Sequence, residues 1–129
     1  EIMPSLVGSE MCIRDRAMVY FSDHGESLDK SHNPDTFDFV MTHIPFWVYL
    51  SPQYRTAYPQ TADVLTKHEH QFFTNDLLYD TLIGLMQAPN YRYDATRDFS
   101  NASYRFNLHN LTTLLGEQPL INDPVNAGK

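Results

Sequence analysis

Two short apolar runs set the terms for any fold of this chain. Ala17-Met-Val-Tyr-Phe-Ser22 is cut off by Asp23-His24-Gly25, and Ile44-Pro-Phe-Trp-Val-Tyr-Leu50 is closed by Ser51-Pro52. Six or seven residues between turn signals is strand length and short for a helix. The first run reads as a strand buried on both faces of a parallel sheet. The second reads as another strand, with Pro45 near its start, where a missing ladder donor is tolerated. Polar residues join the two, and Asn33-Pro34 breaks any helix between them. Val19, Phe21, Phe46 and Val48 are the positions that need cover, expected from further strands encoded upstream.

Beyond the second run, residues 54–71 are polar, and their second half reads as a helix from Thr61, with Pro59 just before it. Thr74-Asn75-Asp76 is a helix start: Thr74 or Asn75 can cap, and Asp76 suits the positive end of the dipole. Leu77, Leu78, Leu82, Leu85 and Met86 follow at helical spacing, and Ala88-Pro89-Asn90 stops the helix. Residues 91–104 are irregular and aromatic, 108–115 read as a strand or a short helix, and the tail from Gly116 reads as loop. Strand, loop, strand, helix is an α/β pattern.

With 129 residues the chain has room for one domain, and 42% hydrophobic residues suffice for a packed core. A net charge of −7 without a Lys/Arg cluster argues against nucleic acid as a partner. No apolar run reaches membrane-spanning length, and no secretory signal is visible. Leu6–Asp15 matches, without a gap, one translated frame of a widely used transposase sequencing adapter. Residues 1–16 are therefore read as adapter-derived and set apart from 17–129. Cys12, the single cysteine, drops out as nucleophile or ligand, and the gene is expected to continue upstream of Ala17.

The chemistry concentrates in Ser22-Asp23-His24-Gly25-Glu26. Ligands of α/β sheets gather at the carboxyl ends of strands. A carboxylate beside an imidazole there can give one oxygen and one nitrogen to a divalent metal, or to two adjacent ones. Gly25 permits a sharp turn just after the pair, and Ser22 and Glu26 can orient the donors. Taken alone, an Asp-His-Gly turn is more often only a turn. Among the other histidines, His43 is read as packing or capping. His68 and His70 flank Glu69 on a solvated helix, and the tract is not His-Glu-x-x-His. His109 has no partner pattern.

The tract Val19-Tyr-Phe-Ser-Asp-His-Gly-Glu-Ser27 resembles the metal-binding strand end of the alkaline phosphatase/sulfatase superfamily. More of the chain resembles that superfamily's bacterial phosphoethanolamine transferases. His32-Asn33-Pro34 sits where a downstream active-site histidine is found in them. Met41-Thr-His-Ile-Pro-Phe-Trp-Val-Tyr-Leu-Ser51 looks like their next strand and Phe73-Thr-Asn-Asp-Leu-Leu-Tyr-Asp80 like their following helix. Leu120–Pro124 looks like their terminal segment.

The resemblance implies that 17–129 is the C-terminal part of a sulfatase-like, sheet-and-helix catalytic domain. Asp23 and His24 would be metal ligands, for zinc in the first place, with manganese or calcium as alternatives. His32 would contact the metal or the transferred phosphoryl group. The complete protein would take a phospholipid donor and a lipid or glycan acceptor. It would be anchored in the inner membrane with its catalytic domain in the periplasm. The nucleophile and remaining ligands would lie upstream, so this stretch alone would be inactive. Two other readings stay open: a sulfatase on the same scaffold, and a non-catalytic binding or structural domain.

Overall fold

The structure is a computed structural model and describes residues 16–30 and 34–126. The adapter-like stretch through Asp15, Cys12 included, and His32 lie outside the described residues.

The two apolar runs form strands β1 (Ala17–Phe21) and β2 (Phe46–Leu50). They pair antiparallel, from Ala17 opposite Leu50 to Phe21 opposite Phe46. This corrects the expected parallel sheet. A parallel pair needs a crossover to bring the chain back to the starting end. Here the connection holds short 3-10 turns, Pro34–Thr36 and Phe39–Thr42, and returns directly. The strands alternate accordingly. Val19 and Val48 face the core, while Met18, Tyr20, Trp47 and Tyr49 stand half-exposed on the other face, with Tyr20 stacked on Trp47 at 5.2 Å. Val19 and Val48 are partly buried, packed against the cluster of Leu50, Tyr54, Ala62 and Leu85.

Ser51 extends the pairing beyond β2. Its N–H donates to the Arg16 carbonyl, and its Oγ accepts from the backbone N–H groups of Arg16 and Tyr54. The last of these bonds caps helix α1 (Pro52–Ala57), which starts with Pro52 in its first turn, where a missing N–H costs nothing. The expectation that Ser51-Pro52 merely closes the strand overlooked this cap. Helix α2 (Pro59–Lys67) likewise starts at Pro59 itself rather than at Thr61. Leu50, Tyr54, Ala62 and Leu85 form the buried centre of the core, flanked by Ala17, Val19, Val48 and Leu65.

Thr74 begins a 3-10 turn, Asn75–Leu77, that runs into helix α3 (Leu78–Leu85). Leu77 and Leu85 are buried, but Met86 lies past the helix end and is exposed. The helix closes on the core through Tyr54, whose hydroxyl donates to the Leu85 carbonyl at 2.7 Å. His68 departs from its expected solvated setting. It caps α2, donates Nδ1–H to the Phe99 carbonyl at 2.7 Å and packs on Phe99 and Tyr104. Phe46, Phe73 and Phe99 complete this aromatic cluster. Residues 91–104 are irregular as expected, and Tyr91 is 90% exposed. The tail is less loose than expected: β3 (Thr112–Thr113) and β4 (Gln118–Pro119) pair, and the turn Leu120–Asn122 follows.

That irregular loop is fastened by carboxylates. Asp80 is 4% exposed and accepts from the Asp94 N–H at 2.8 Å and from Arg97 Nε at 3.2 Å. Removing one partner of a buried ion pair strands the other. Arg97 keeps a third of its side chain in water and also reaches Asp76, which softens the loss. Asp80→Ala should therefore cost about 2–3 kcal/mol in urea unfolding, below the 3–5 of a fully buried pair. A loss under about 0.5 kcal/mol would show that the loop is held some other way.

Candidate metal centre

Asp23, His24 and Gly25 follow directly on the carboxyl end of β1, as the apolar run and its turn signal predict. The turn is held from three sides. Ser22 Oγ donates to the His24 carbonyl at 2.8 Å. Asn75 Nδ2 donates to the carbonyls of Ser22 at 3.1 Å and Asp23 at 2.9 Å. The Gly25 N–H donates to the Met41 carbonyl at 2.7 Å. A side chain at position 25 would place its Cβ 2.7 Å from both the His43 and the Val40 carbonyl oxygens. Glycine is thus required by the close approach of two backbone segments.

The two donors themselves are outward. The Asp23 side chain is 87% exposed and the His24 ring 50%. The His24 N–H donates to Asp23 Oδ1 at 3.1 Å, which turns the carboxylate back over the turn. A carbonyl only accepts, so the 2.7 Å contact between His24 Nδ1 and the Gly25 carbonyl puts a proton on Nδ1. In the neutral ring the lone pair is then on Nε2, which stands 3.9 Å from Asp23 Oδ2.

These residues fit a divalent metal. Metal-binding histidines commonly donate their second ring nitrogen to a carbonyl or carboxylate, which fixes the tautomer. Two donors at zinc distances of about 2.0–2.2 Å on a tetrahedral ion stand roughly 3.4 Å apart. The 3.9 Å gap closes to that value with a small side-chain adjustment. The pair supplies half of a tetrahedral set. Among the described residues, no three His, Cys, Asp or Glu side chains converge on one point that could hold a metal ion. The placement of His32 near Asp23 and His24 is a matter outside the described residues.

Asp23 and His24 line one broad open cleft together with His43, Asn75 and Asp123. His43 was read as packing or capping. It does cap the 3-10 turn Phe39–Thr42, and its Nε2 also donates to the buried Asp123 carboxylate at 2.6 Å. No local signal announces a pair eighty residues apart. Asn75, expected only as a helix cap, also holds the Asp23–His24 turn through its side-chain amide. Its Oδ1 is buried and finds no hydrogen-bond partner among the described residues. Asn75→Ala removes two donors from partly exposed carbonyls that water can reach, so about 1 kcal/mol of stability should be lost. Exchange of the His24 amide hydrogen should speed up with it, and unchanged exchange would show that the clamp is dispensable.

No protein-family model matches the chain. It is similar to the phosphoethanolamine transferase EptA of Salmonella typhimurium, with 31% identity over 93 residues, 64% of this chain and 16% of that protein. It is also similar in structure to the C-terminal periplasmic domain of EcEptC from Escherichia coli. There the TM-score is 0.69 at 23% sequence identity, over 83% of this chain and 32% of that one. The chain thus spans about a sixth of the first relative and a third of the second. Its fold is that of the matching part of the periplasmic domain, a portion of an alkaline-phosphatase-like α/β fold, as the sequence predicts. Among the described residues, no helix is long and apolar enough to cross a membrane.

Proposed function

We propose that this chain is the C-terminal, metal-binding part of a phosphoethanolamine transferase. The complete protein would move a phosphoryl group from a phospholipid donor to a lipid or glycan acceptor. The observation that carries the reading is the Asp23–His24 turn. It stands at a strand's carboxyl end, with the imidazole's Nδ1–H on the Gly25 carbonyl and its Nε2 toward the carboxylate. Similarity to a phosphoethanolamine transferase across 64% of the chain supports the reading.

Within the reaction, Asp23 and His24 would donate one oxygen and one nitrogen to zinc, or to manganese or calcium in its place. When bound, such an ion lowers the pKa of a coordinated nucleophile and offsets charge on the transferred group. Gly25, Ser22 and Asn75 hold the donors at the end of β1. His32 is proposed, on resemblance, to contact the metal or the transferred group. Nucleophile and further ligands would come from upstream sequence, and the complete protein would be an inner-membrane one with a periplasmic catalytic domain.

The test uses the chain joined to its upstream sequence. Transfer of phosphoethanolamine from a phospholipid is expected, with a threonine as the nucleophile. Asp23→Ala should abolish turnover and metal binding together, and His32→Ala should lower turnover by orders of magnitude while folding is retained. Near-normal turnover in the His32 variant would remove that residue from the site. Sulfate release from sulfate esters, with a Cys-x-Pro-x-Arg tract upstream, would establish the hydrolase instead. Absence of any metal binding would leave a non-catalytic domain.

A further inference from the structure

We propose that Asp123 and His43 form a latch that sets the position of the Asp23–His24 turn, making the segment 120–126 a positioning element of the site. The inference rests on the metal reading above.

Three contacts in series carry it. Asp123 is held rigidly: its side chain is 6% exposed, Oδ1 accepts from the Val125 N–H at 3.0 Å, and Oδ2 accepts from His43 Nε2 at 2.6 Å. A carboxylate so far from water needs such partners, and a bond this short is of the charge-assisted kind. The segment is itself tied down, because the Leu120 N–H donates to the Leu111 carbonyl and the Asn126 N–H to the Asp123 carbonyl. His43 then passes the constraint on. Its N–H closes the 3-10 turn Phe39–Thr42 on the Val40 carbonyl. The carbonyls of Val40 and His43 are the two that crowd Gly25, and the Met41 carbonyl between them takes the Gly25 N–H. Metal-binding turn, 3-10 turn, His43 ring and tail therefore form one connected path. All four parts line or border the same cleft. Neither His43 nor Asp123 is assigned a touch on metal or substrate. Both act through the backbone wall against which Gly25 is seated.

The experiment uses the chain joined to its upstream sequence and compares the unsubstituted protein with Asp123→Ala, His43→Ala and His43→Gln. Three quantities are read: the Kd for zinc, hydrogen exchange at the Gly25 amide, and the thermal midpoint. Partners that orient metal ligands typically change affinity by about 10–100-fold. Asp123→Ala and His43→Ala should each weaken zinc by that factor and speed Gly25 exchange at least tenfold. His43→Gln, which keeps an N–H donor for Asp123, should restore both to within about threefold of wild type. A lowered midpoint with zinc affinity and Gly25 exchange unchanged would overturn the latch and leave a merely structural pair. Should Asp123→Ala fail to fold, the two His43 variants decide alone. If the unsubstituted protein, upstream sequence included, shows no zinc site that Asp23→Ala removes, the metal reading fails by itself. The latch then stands or falls on Gly25 exchange: acceleration in His43→Ala with rescue in His43→Gln supports it, and no acceleration overturns it.

Discussion

Gly84→Ala should be among the most damaging single-methyl additions in the chain, against the ordinary rule for helices. In a helix interior, alanine is favoured over glycine by about 1 kcal/mol. Gly84 lies in α3, but a Cβ there would sit 1.9 Å from Asp98 Oδ2 and 2.6 Å from its Cγ. Asp98 has nowhere to go. It is 1% exposed, Oδ1 accepts from the Ser100 N–H and hydroxyl, and Oδ2 accepts from the Tyr93 hydroxyl at 2.7 Å. Burial pushes its carboxyl above the usual range, while the bonds from Ser100 and Tyr93 pull it back down. Burial, and then the bond to Asp98, push the Tyr93 hydroxyl up to about 12, so it remains a donor at neutral pH. Displacing the carboxylate breaks those bonds inside the protein. Overpacking costs about 1–3 kcal/mol and each stranded polar group about 1–3 more. The net loss should be about 3 kcal/mol or more, a fall in thermal midpoint beyond about 10 °C for a domain of this size. A midpoint equal to or above wild type would mean that α3 and the 91–104 loop are not packed as described.

Gly25→Ala should strike the site rather than the core. The added Cβ meets two backbone carbonyl oxygens at 2.7 Å, and backbone cannot swing aside as a side-chain tip does. The turn must lift away from the 39–43 segment and lose the bond from the Gly25 N–H to the Met41 carbonyl. His24 and Asp23 move with it. Zinc affinity should fall by about 100-fold, the upper end of what misplaced ligand support costs. The loss of global stability should be smaller than for Gly84→Ala, because residues 23 and 24 are exposed. Calorimetric titration beside a thermal melt separates the two effects. Wild-type affinity in Gly25→Ala would mean that the turn's position is not set by this contact.

Sequence carried the local half of this picture. β1, β2, the Asp-His-Gly turn and α3 were legible because each rests on nearest-neighbour chemistry: apolar runs of strand length, a glycine after two donors, a capping polar pair before leucines at helical spacing. Pairing direction was not, because both orientations suit the same apolar run and the choice lies in how 22–45 returns. The Ser51-Pro52 cap was readable, since serine before proline is a helix-start signal, but the strand it closes masked it. His43 with Asp123, and Asn75 with Ser22 and Asp23, were out of reach. Those contacts join residues 80, 53 and 52 positions apart, and only the packed chain brings them together.

Zinc titration of the chain joined to its upstream sequence, with Asp23→Ala, His24→Ala and the double variant, tests most directly whether these two side chains act as one donor pair. The unsubstituted protein is expected to show a site that Asp23→Ala removes and His24→Ala weakens by at least about tenfold, while all three variants keep the wild-type thermal midpoint. The double variant should lose little beyond Asp23→Ala alone, since donors to one ion act together rather than additively. Zinc binding that survives the double substitution unchanged would contradict the assignment of Asp23 and His24 as metal ligands.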